Sequence, residues 1–353
     1  MSVTLDQERL GAVLERVVGD LSATYGGVMV SIGDKLGLYA AMAGAGPLSS
    51  AEVAARAGCA ERYVREWLNA QAAGGYVEYH PVSGSYELTP EQAAVLADRD
   101  SPTFIPAAWD VPASMFLDEE ATIAAFRTGE GVAWGDRHPR LHHGIASFYR
   151  NPYRSGIAGE WIPSLDGVQE RLAAGGRVAD VGCGHGHSTV AMAEAYPASR
   201  FTGIDAHPAS IEAARAHARD AGVEDRVTFE VADARTYAPA GYDLVCFFDA
   251  LHDMSDPEGA LAHAREALAP GGTVMLVEPY AGDRVEDNLT PVGRLYYAAS
   301  TVLCVAHALS EDGAHALGAQ AGEARLAEVA RRAGLTHVRR AAETPFNLVL
   351  ELR

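Results

Sequence analysis

Lysine is almost missing from this 353-residue chain: it occurs once, at Lys35, and the formal net charge is −19 at pH 7. Nucleic acid is held through clustered Lys and Arg, so no phosphate-binding tract and no nucleic-acid partner are expected. Cysteine is scarce too, with 4 residues, Cys59, Cys183, Cys246 and Cys304, and no C-x-x-C pair. That scatter suits reduced thiols and argues against a disulfide scaffold or a cysteine-only zinc site. Nowhere do about 18 apolar residues run uninterrupted, as a membrane-spanning helix requires. The opening Met1-Ser-Val-Thr-Leu-Asp-Gln-Glu8 carries no basic stretch, so the expectation is a soluble, cytoplasmic protein with no membrane partner. Internal repeats and low-complexity runs are also lacking. The length exceeds one ordinary domain and predicts two, or one with a large extension.

Glycine, by contrast, is plentiful, and its most informative placing is Val178-Ala-Asp-Val-Gly-Cys-Gly-His-Gly-His-Ser188. A short apolar strand runs into three alternate glycines, Gly182, Gly184 and Gly186, and then into a helix predicted from about Ser188 to Ala195. Such a loop brings bare backbone against a nucleotide-like ligand, with free N–H groups at the helix start. A dinucleotide fingerprint would place its third glycine where His187 stands, and would not place an acid at Asp180. Cys183 in this loop reads as a small polarizable filler. A second predicted strand, Ser199 to Ile204, ends at Asp205, roughly 20 residues beyond the glycines, where an acid can receive both ribose hydroxyls. A third, beginning at Val227, ends at Asp233-Ala234. A fourth, Asp243 to Phe248, opens into Asp249-Ala-Leu-His252-Asp253, and Ala269 to Glu278 reads as a glycine turn and a fifth strand.

The N-terminal half reads differently. An apolar helix is predicted over Val28 to Met42, a second through Ala57 capped by Ser49 or Ser50, and a third over Glu61 to Ala73. The segment Tyr76 to Thr89 alternates like a hairpin turning at Ser83-Gly84. Three helices and a wing form a winged-helix pattern. Its third helix carries Glu61, Arg62, Arg65 and Glu66, a balanced face with little attraction for phosphate. From Ser101 to Trp161 aromatics and prolines concentrate, Trp109 and Trp134 among them, which suits domain packing or the wall of an apolar pocket.

The pattern D-x-G-x-G-x-G and the strand-end acids, taken in order, resemble the class I S-adenosylmethionine (SAM)-dependent methyltransferases. That resemblance implies an α/β fold: a Rossmann-like class I methyltransferase domain with a seven-stranded sheet over residues 165–353. An N-terminal winged-helix dimerisation domain would cover 1–100, and a helical linker and lid 101–164. It implies SAM as cofactor, with contacts at Asp180, Gly182, Cys183, Gly184, Gly186, Asp205, Ala206, Asp233, Ala234, Phe248 and Asp249, and it places Asp233 opposite the adenine amino group. A small-molecule acceptor and a homodimer are implied as well.

Two acceptor chemistries are implied by closer resemblances. Leu251-His252-Asp253-Met254-Ser255-Asp256 resembles the L-H-D-W-S-D segment of O-methyltransferases, whose His removes a proton from a phenolic hydroxyl. Glu278 stands where that family sets a carboxylate beside the His, and an imidazole suits the role. Arg137, His252 and His307 together resemble the α-keto acid C-methyltransferases of the phenylpyruvate and indolepyruvate type. There a metal ion, iron or zinc, sits between two histidines, here His252 and His307. Arg137 would grip the substrate carboxylate, with Trp109 and Tyr296 as pocket walls. A cation chelated by a 2-oxo acid lowers the cost of the enolate, which makes the β-carbon nucleophilic. Asp253 would orient the His252 ring or take the proton. His138, His142 and His143 are rival ligands near Arg137, and Cys304 is a further soft donor or simply packing. The first expectation is thus C-methylation of a 2-oxo acid in specialised metabolism. The alternative is a metal-free O-methyltransferase with His252 as base, and the third a SAM-binding regulator that uses the winged helix on DNA.

Overall fold

The computed structural model describes residues 5–311 and 315–353. Contacts divide the chain into two units, Met1–Ala113 with His143–Asn151, and Ser114–His142 with Pro152–Arg353. The predicted lid of 101–164 is therefore not one module, because its segments belong partly to each unit.

The first unit starts with α1, Gln7–Lys35, whose N-terminus is fixed by Asp6 accepting from the backbone N–H groups of Glu8 and Arg9. Sequence reading began this helix at Val28 and ran it to Met42. The chain instead breaks after Lys35, where Gly37 takes φ 67°, and resumes as α2, Leu38–Met42. Helix α3, Ser50–Ala57, carries a capping box between Ser49 and Glu52, which satisfies two otherwise orphaned N–H groups. Helix α4, Glu61–Ala73, matches its predicted bounds. The wing is β1, Glu78–His80, against β2, Ser85–Glu87, in antiparallel register with Tyr79 opposite Tyr86. Helix α5, Pro90–Leu96, has its own capping box from Thr89 and Gln92. Val30, Tyr39, Met42, Trp67 and Leu68 form the core of this unit, and the Tyr39 hydroxyl donates to Gln71 over 2.5 Å. On α4, Arg65 pairs with Glu61 and Arg62 with Glu66, so its cations are matched by its own acids. Helix α6, Asp110–Leu117, follows.

The second unit adds α7, Glu119–Thr128, the outer turns of α8, Pro139–Gly156, and α9, Val168–Ala174. It then alternates strand and helix through β3 (Arg177–Val181), α10 (His187–Ala195), β4 (Arg200–Asp205), α11 (Pro208–Asp220), β5 (Val227–Val231) and β6 (Tyr242–Phe248). Helix α12 (Pro257–Ala267), β7 (Leu268–Pro279), α13 (Pro291–Ala299), α14 (Val305–Ser310), α15 (Gly322–Arg332), β8 (Val338–Glu343) and β9 (Asn347–Leu352) complete it. The seven strands are ordered β5-β4-β3-β6-β7-β9-β8, parallel except for β9, which is antiparallel to both neighbours. Val274, Met275, Leu276 and Val277 of β7 are fully buried. A central strand covered on both faces reads as such an unbroken apolar run. From β3 the chain passes to β4 on one side and later returns to β6 on the other. The crevice at their carboxyl ends is the switch point where ligands of this sheet type bind.

One departure from regular helix matters for the site. Sequence reading ran a single helix from Tyr296 to His307, but Ser300–Cys304 forms a π-helical turn between α13 and α14. Among the described residues no helix is long and apolar enough to cross a membrane.

Candidate active site

The glycine loop closes β3 with Gly182, Gly184 and Gly186 at φ 77°, 52° and 75°. Gly186 is required twice over. Besides its left-handed backbone, an added Cβ would lie 2.8 Å from Ala214 Cβ and from the Phe229 ring. At Gly184 nothing lies within 4 Å of that position, and its N–H donates to Asp205 Oδ2 over 2.9 Å. Asp205 Oδ1 accepts from the His207 N–H at 2.8 Å. Burial pushes the Asp205 carboxyl up, and those two N–H groups draw it back. Ala206 beside it is exposed. An open glycine backbone next to a half-buried acid fits the ribose end of an adenosyl group.

Other residues expected at the cofactor already have protein partners. Asp180 is buried and turned onto α10, where Oδ2 accepts from the hydroxyls of Ser188 and Thr189 at 2.6 Å each. Burial raises its pKa to about 6 against those two bonds. It ties strand to helix from within. Asp233, expected opposite an adenine, is held bidentately by Arg235 at 2.9 and 2.7 Å, a pairing that holds its carboxyl below the usual range. Ala234 packs on the sheet core. Cys183 is buried, and burial pushes its thiol well up, so it is no thiolate. Phe248 ends β6 against Tyr153 and Trp161, with ring centroids 5.4 and 6.3 Å away.

Beyond Phe248, Asp249 takes φ 49°, a left-handed backbone on a residue with a side chain. Such strain concentrates at functional sites. Its carboxyl accepts from the Tyr153 hydroxyl at 2.8 Å and from Asn347 Nδ2 at 2.7 Å. Burial, then the nearby Glu278, raises its pKa to about 7. The turn that follows presents His252, buried between two acids. Nδ1 lies 2.5 Å from Glu278 Oε2, while Glu278 Oε1 accepts from the Leu251 N–H at 3.0 Å. One carboxylate thus fixes both the ring and its backbone. On the other edge, Nε2 is 3.0 Å from Asp253 Oδ1, yet that oxygen has no aligned hydrogen bond. Burial alone would pull the imidazole's pKa down, but the carboxylates of Asp253 and Glu278 outweigh it and hold it well above the ordinary value.

Arg137 is 4% exposed and reaches across to the Val302 carbonyl in the π turn. A π turn leaves carbonyls free of their usual helical partners. Its Nη1 is buried with no partner, and desolvation draws its pKa down. Next to it in sequence, Trp134 packs edge-on to His142 (5.2 Å) and tilted against His307 (6.0 Å), and His142 stacks on His207 at 5.3 Å. The Trp134, His142 and His207 assembly, close to Asp205, is a grouping that the sequence did not announce. Tyr296 is buried, its hydroxyl donating to the Phe346 carbonyl at 2.9 Å. Trp109 belongs to the first unit and packs on α1, where a Cβ added at Gly27 would meet its ring at 2.4 Å. The rival histidines diverge: His138 Nδ1 accepts from the Arg140 N–H, and His143 pairs with Asp110.

A metal between His252 and His307 has no support from a converging donor set among the described residues. The donors that converge are His252, Asp253 and Cys304, and His307 is not among them. Its Nε2 lies 4.0 Å from Glu311, and its Nδ1 is buried without a partner. Burial lifts the Cys304 thiol to about 12.

A sheet of this order, with a glycine loop at the switch point and an antiparallel strand inserted near one edge, defines the class I methyltransferase fold. Residues 172–334 match a family model described as a methyltransferase domain, and residues 24–98 match an Rv2258c-like winged helix-turn-helix domain. The chain therefore has the Rossmann-like fold of methyltransferases, with a match to a methyltransferase domain over residues 172–334 behind a winged helix-turn-helix match. Over 107 residues it is 39% identical to the 27-O-demethylrifamycin SV methyltransferase of Amycolatopsis mediterranei, a match spanning 30% of this chain and 39% of that relative. The chain thus covers well under two thirds of such a relative's length. The structure of mitomycin 7-O-methyltransferase superposes with a TM-score of 0.70 at 18% identity, over 99% of this chain and 100% of that one. Human N-acetylserotonin methyltransferase in complex with SAM gives 0.70 at 18%, over 100% and 99%. At such identities the likeness is one of fold.

Proposed function

We propose that this protein is a SAM-dependent O-methyltransferase of small molecules, with His252 as the base. The observation that carries this reading is the asymmetric clamp on His252. Glu278 accepts the Nδ1 proton, which leaves the lone pair on Nε2, and Asp253 lies beside that nitrogen without an aligned bond to it. Gly184 and Asp205 would hold the cofactor, which when bound supplies a methyl group already activated on a sulfonium. Nε2 takes the acceptor's hydroxyl proton as the oxygen becomes nucleophilic, and the imidazolium so formed lies between two carboxylates that stabilise it. The raised pKa sets the sign of the pH response. The neutral imidazole grows as pH rises, so log kcat/KM is expected to climb through an inflection above the ordinary histidine value of about 6.5. Glu278→Gln should move that inflection down, and a flat profile would remove His252 from the proton transfer.

C-methylation of a 2-oxo acid keeps one observation in its favour, the unpartnered Nη1 of buried Arg137, which a carboxylate on the acceptor would satisfy. Product analysis separates the two. The protein, supplied with SAM and a panel of phenols and 2-oxo acids, is expected to give an O-methyl product by mass spectrometry and NMR, unaffected by EDTA. A C-methyl product lost on chelation would overturn the proposal. Under either chemistry Asp205→Ala should weaken SAM binding. Charge-assisted hydrogen bonds of about 1.5–3 kcal/mol correspond to roughly a 10- to 100-fold rise in Kd, and an unchanged calorimetric Kd would place the cofactor elsewhere.

A further inference from the structure

Three histidines beside the glycine loop take no part in the chemistry above: His185 within it, His187 at the start of α10, and His217 on α11. The rings of His187 and His217 stack, with centroids 4.5 Å apart and planes 24° from parallel. His217 also reaches the loop itself, its Nδ1 lying 2.9 Å from the His185 carbonyl oxygen. A carbonyl only accepts, so Nδ1 carries the proton and the ring donates. Helix α11 sets this geometry through its period. Ser210, Ala214 and His217 follow at intervals of four and three residues and so share one helix face, on which Ser210 and Ala214 are buried. Ala214 is the residue whose Cβ stands 2.8 Å from a Cβ added at Gly186. One turn further on, His217 meets the residue before that glycine.

The peptide between His185 and Gly186 needs such a tie. Glycines flank His185 on both sides, with Gly184 at φ 52° and Gly186 at φ 75°, and glycine has little steric preference to hold a backbone in one conformation. The start of the loop is tied to β4. The N–H groups of Gly182 and Cys183 donate to the Ile204 carbonyl at 2.8 and 3.0 Å, and Gly184 donates to Asp205. Further along, the Gly186 N–H donates to the Cys183 carbonyl at 2.8 Å, a bond that closes within the loop and moves with it. The bond from His217 to the His185 carbonyl instead reaches out to α11 and fixes the same peptide to the rest of the fold. A rotation of this peptide changes the backbone torsions on both sides of it. Gly184, the open glycine beside Asp205, is one residue away.

We propose that His217 is a positioning residue for the cofactor: its Nδ1–H holds the His185–Gly186 peptide, and through it the loop, in the conformation that receives the adenosyl group. The proposal rests on the reading of this loop as the SAM site. What matters is the donor nitrogen and not the bulk of the ring, and substitutions separate the two. His217→Phe keeps a flat ring against His187 and removes the donor. His217→Asn removes the stack and keeps an N–H, because its amide nitrogen, like Nδ1, is bonded to Cγ. His217→Ala removes both and introduces no bulk that could disturb the fold.

Calorimetric titration of the full chain with SAM should give Kd values about 3- to 10-fold above wild type for His217→Phe and His217→Ala, the factor carried by one neutral hydrogen bond. His217→Asn should restore Kd to within about twofold of wild type, since it restores that bond. Wild-type affinity in His217→Ala overturns the proposal. So does a His217→Asn variant as weak as His217→Ala while His217→Phe binds like wild type, which would make the stack the operative contact. Asp205→Ala distinguishes the two levels of failure. Should it weaken SAM binding while His217→Ala does not, the role of His217 alone is refuted; should neither weaken it, the cofactor site itself lies elsewhere.

Discussion

His252→Ala is expected to lower methyl transfer about 10²- to 10⁴-fold, the usual contribution of a positioned base, with SAM affinity by calorimetry little changed. The sharper variant is Glu278→Gln. Its shape is conserved, and its amide oxygen could still serve the Leu251 N–H that Glu278 Oε1 holds at 3.0 Å. What it removes is the charge that accepts from Nδ1 at 2.5 Å. An amide NH₂ turned to the ring donates to Nδ1, moves the ring proton to Nε2, and takes away the lone pair the acceptor needs. Loss of kcat should then exceed any change in KM, because the binding surface is untouched while the tautomer is wrong. Retention of activity within threefold in either variant would leave the clamp a structural device and send the search for a base elsewhere.

Much of this arrangement could be read from local pattern. The capping box at Ser49 and Glu52, the bounds of α4, and the strands running into Gly182, Asp205 and Asp249 all rest on signals within a few residues of one another. Glu278 beside His252 was legible through motif order. What escaped depends on contacts between distant segments. Arg137 and the Val302 carbonyl are 165 residues apart, and no spacing announces them. The π turn at Ser300–Cys304 is equally silent in sequence, yet its extra residue rotates everything after it by about 100°. A straight helix drawn from Tyr296 therefore misdirects His307, and the donors that converge on His252 are Asp253 and Cys304. Trp109 and Trp134 occur in one aromatic-rich stretch, and composition could not tell which would stand by the histidines. Gly27 decides for Trp109, because only a missing side chain on α1 makes room for its ring.

Gly131→Ala is expected to cost about 100-fold in kcat/KM although the residue touches no proposed catalytic group. An added Cβ would lie 2.1 Å from the Ala306 carbonyl oxygen and 2.1 Å from the Ser310 nitrogen. These are backbone atoms of α14 and cannot give way without unwinding it. The next residue, Val132, donates its N–H to the same Ala306 carbonyl at 2.8 Å, so the clash falls on the clip that holds the segment leading to Trp134 and Arg137. The segment must lift. Arg137 then loses the Val302 carbonyl, and Trp134 loses its packing on His142 and His307. Misplacement of positioning groups by about 1 Å can cost 10²-fold in rate, whereas the sheet core lies elsewhere and its thermal unfolding should shift little. Steady-state kinetics beside a melting curve check both halves. Wild-type kcat/KM in Gly131→Ala would mean that the segment's docking on α14 plays no part in the reaction, whichever acceptor is methylated.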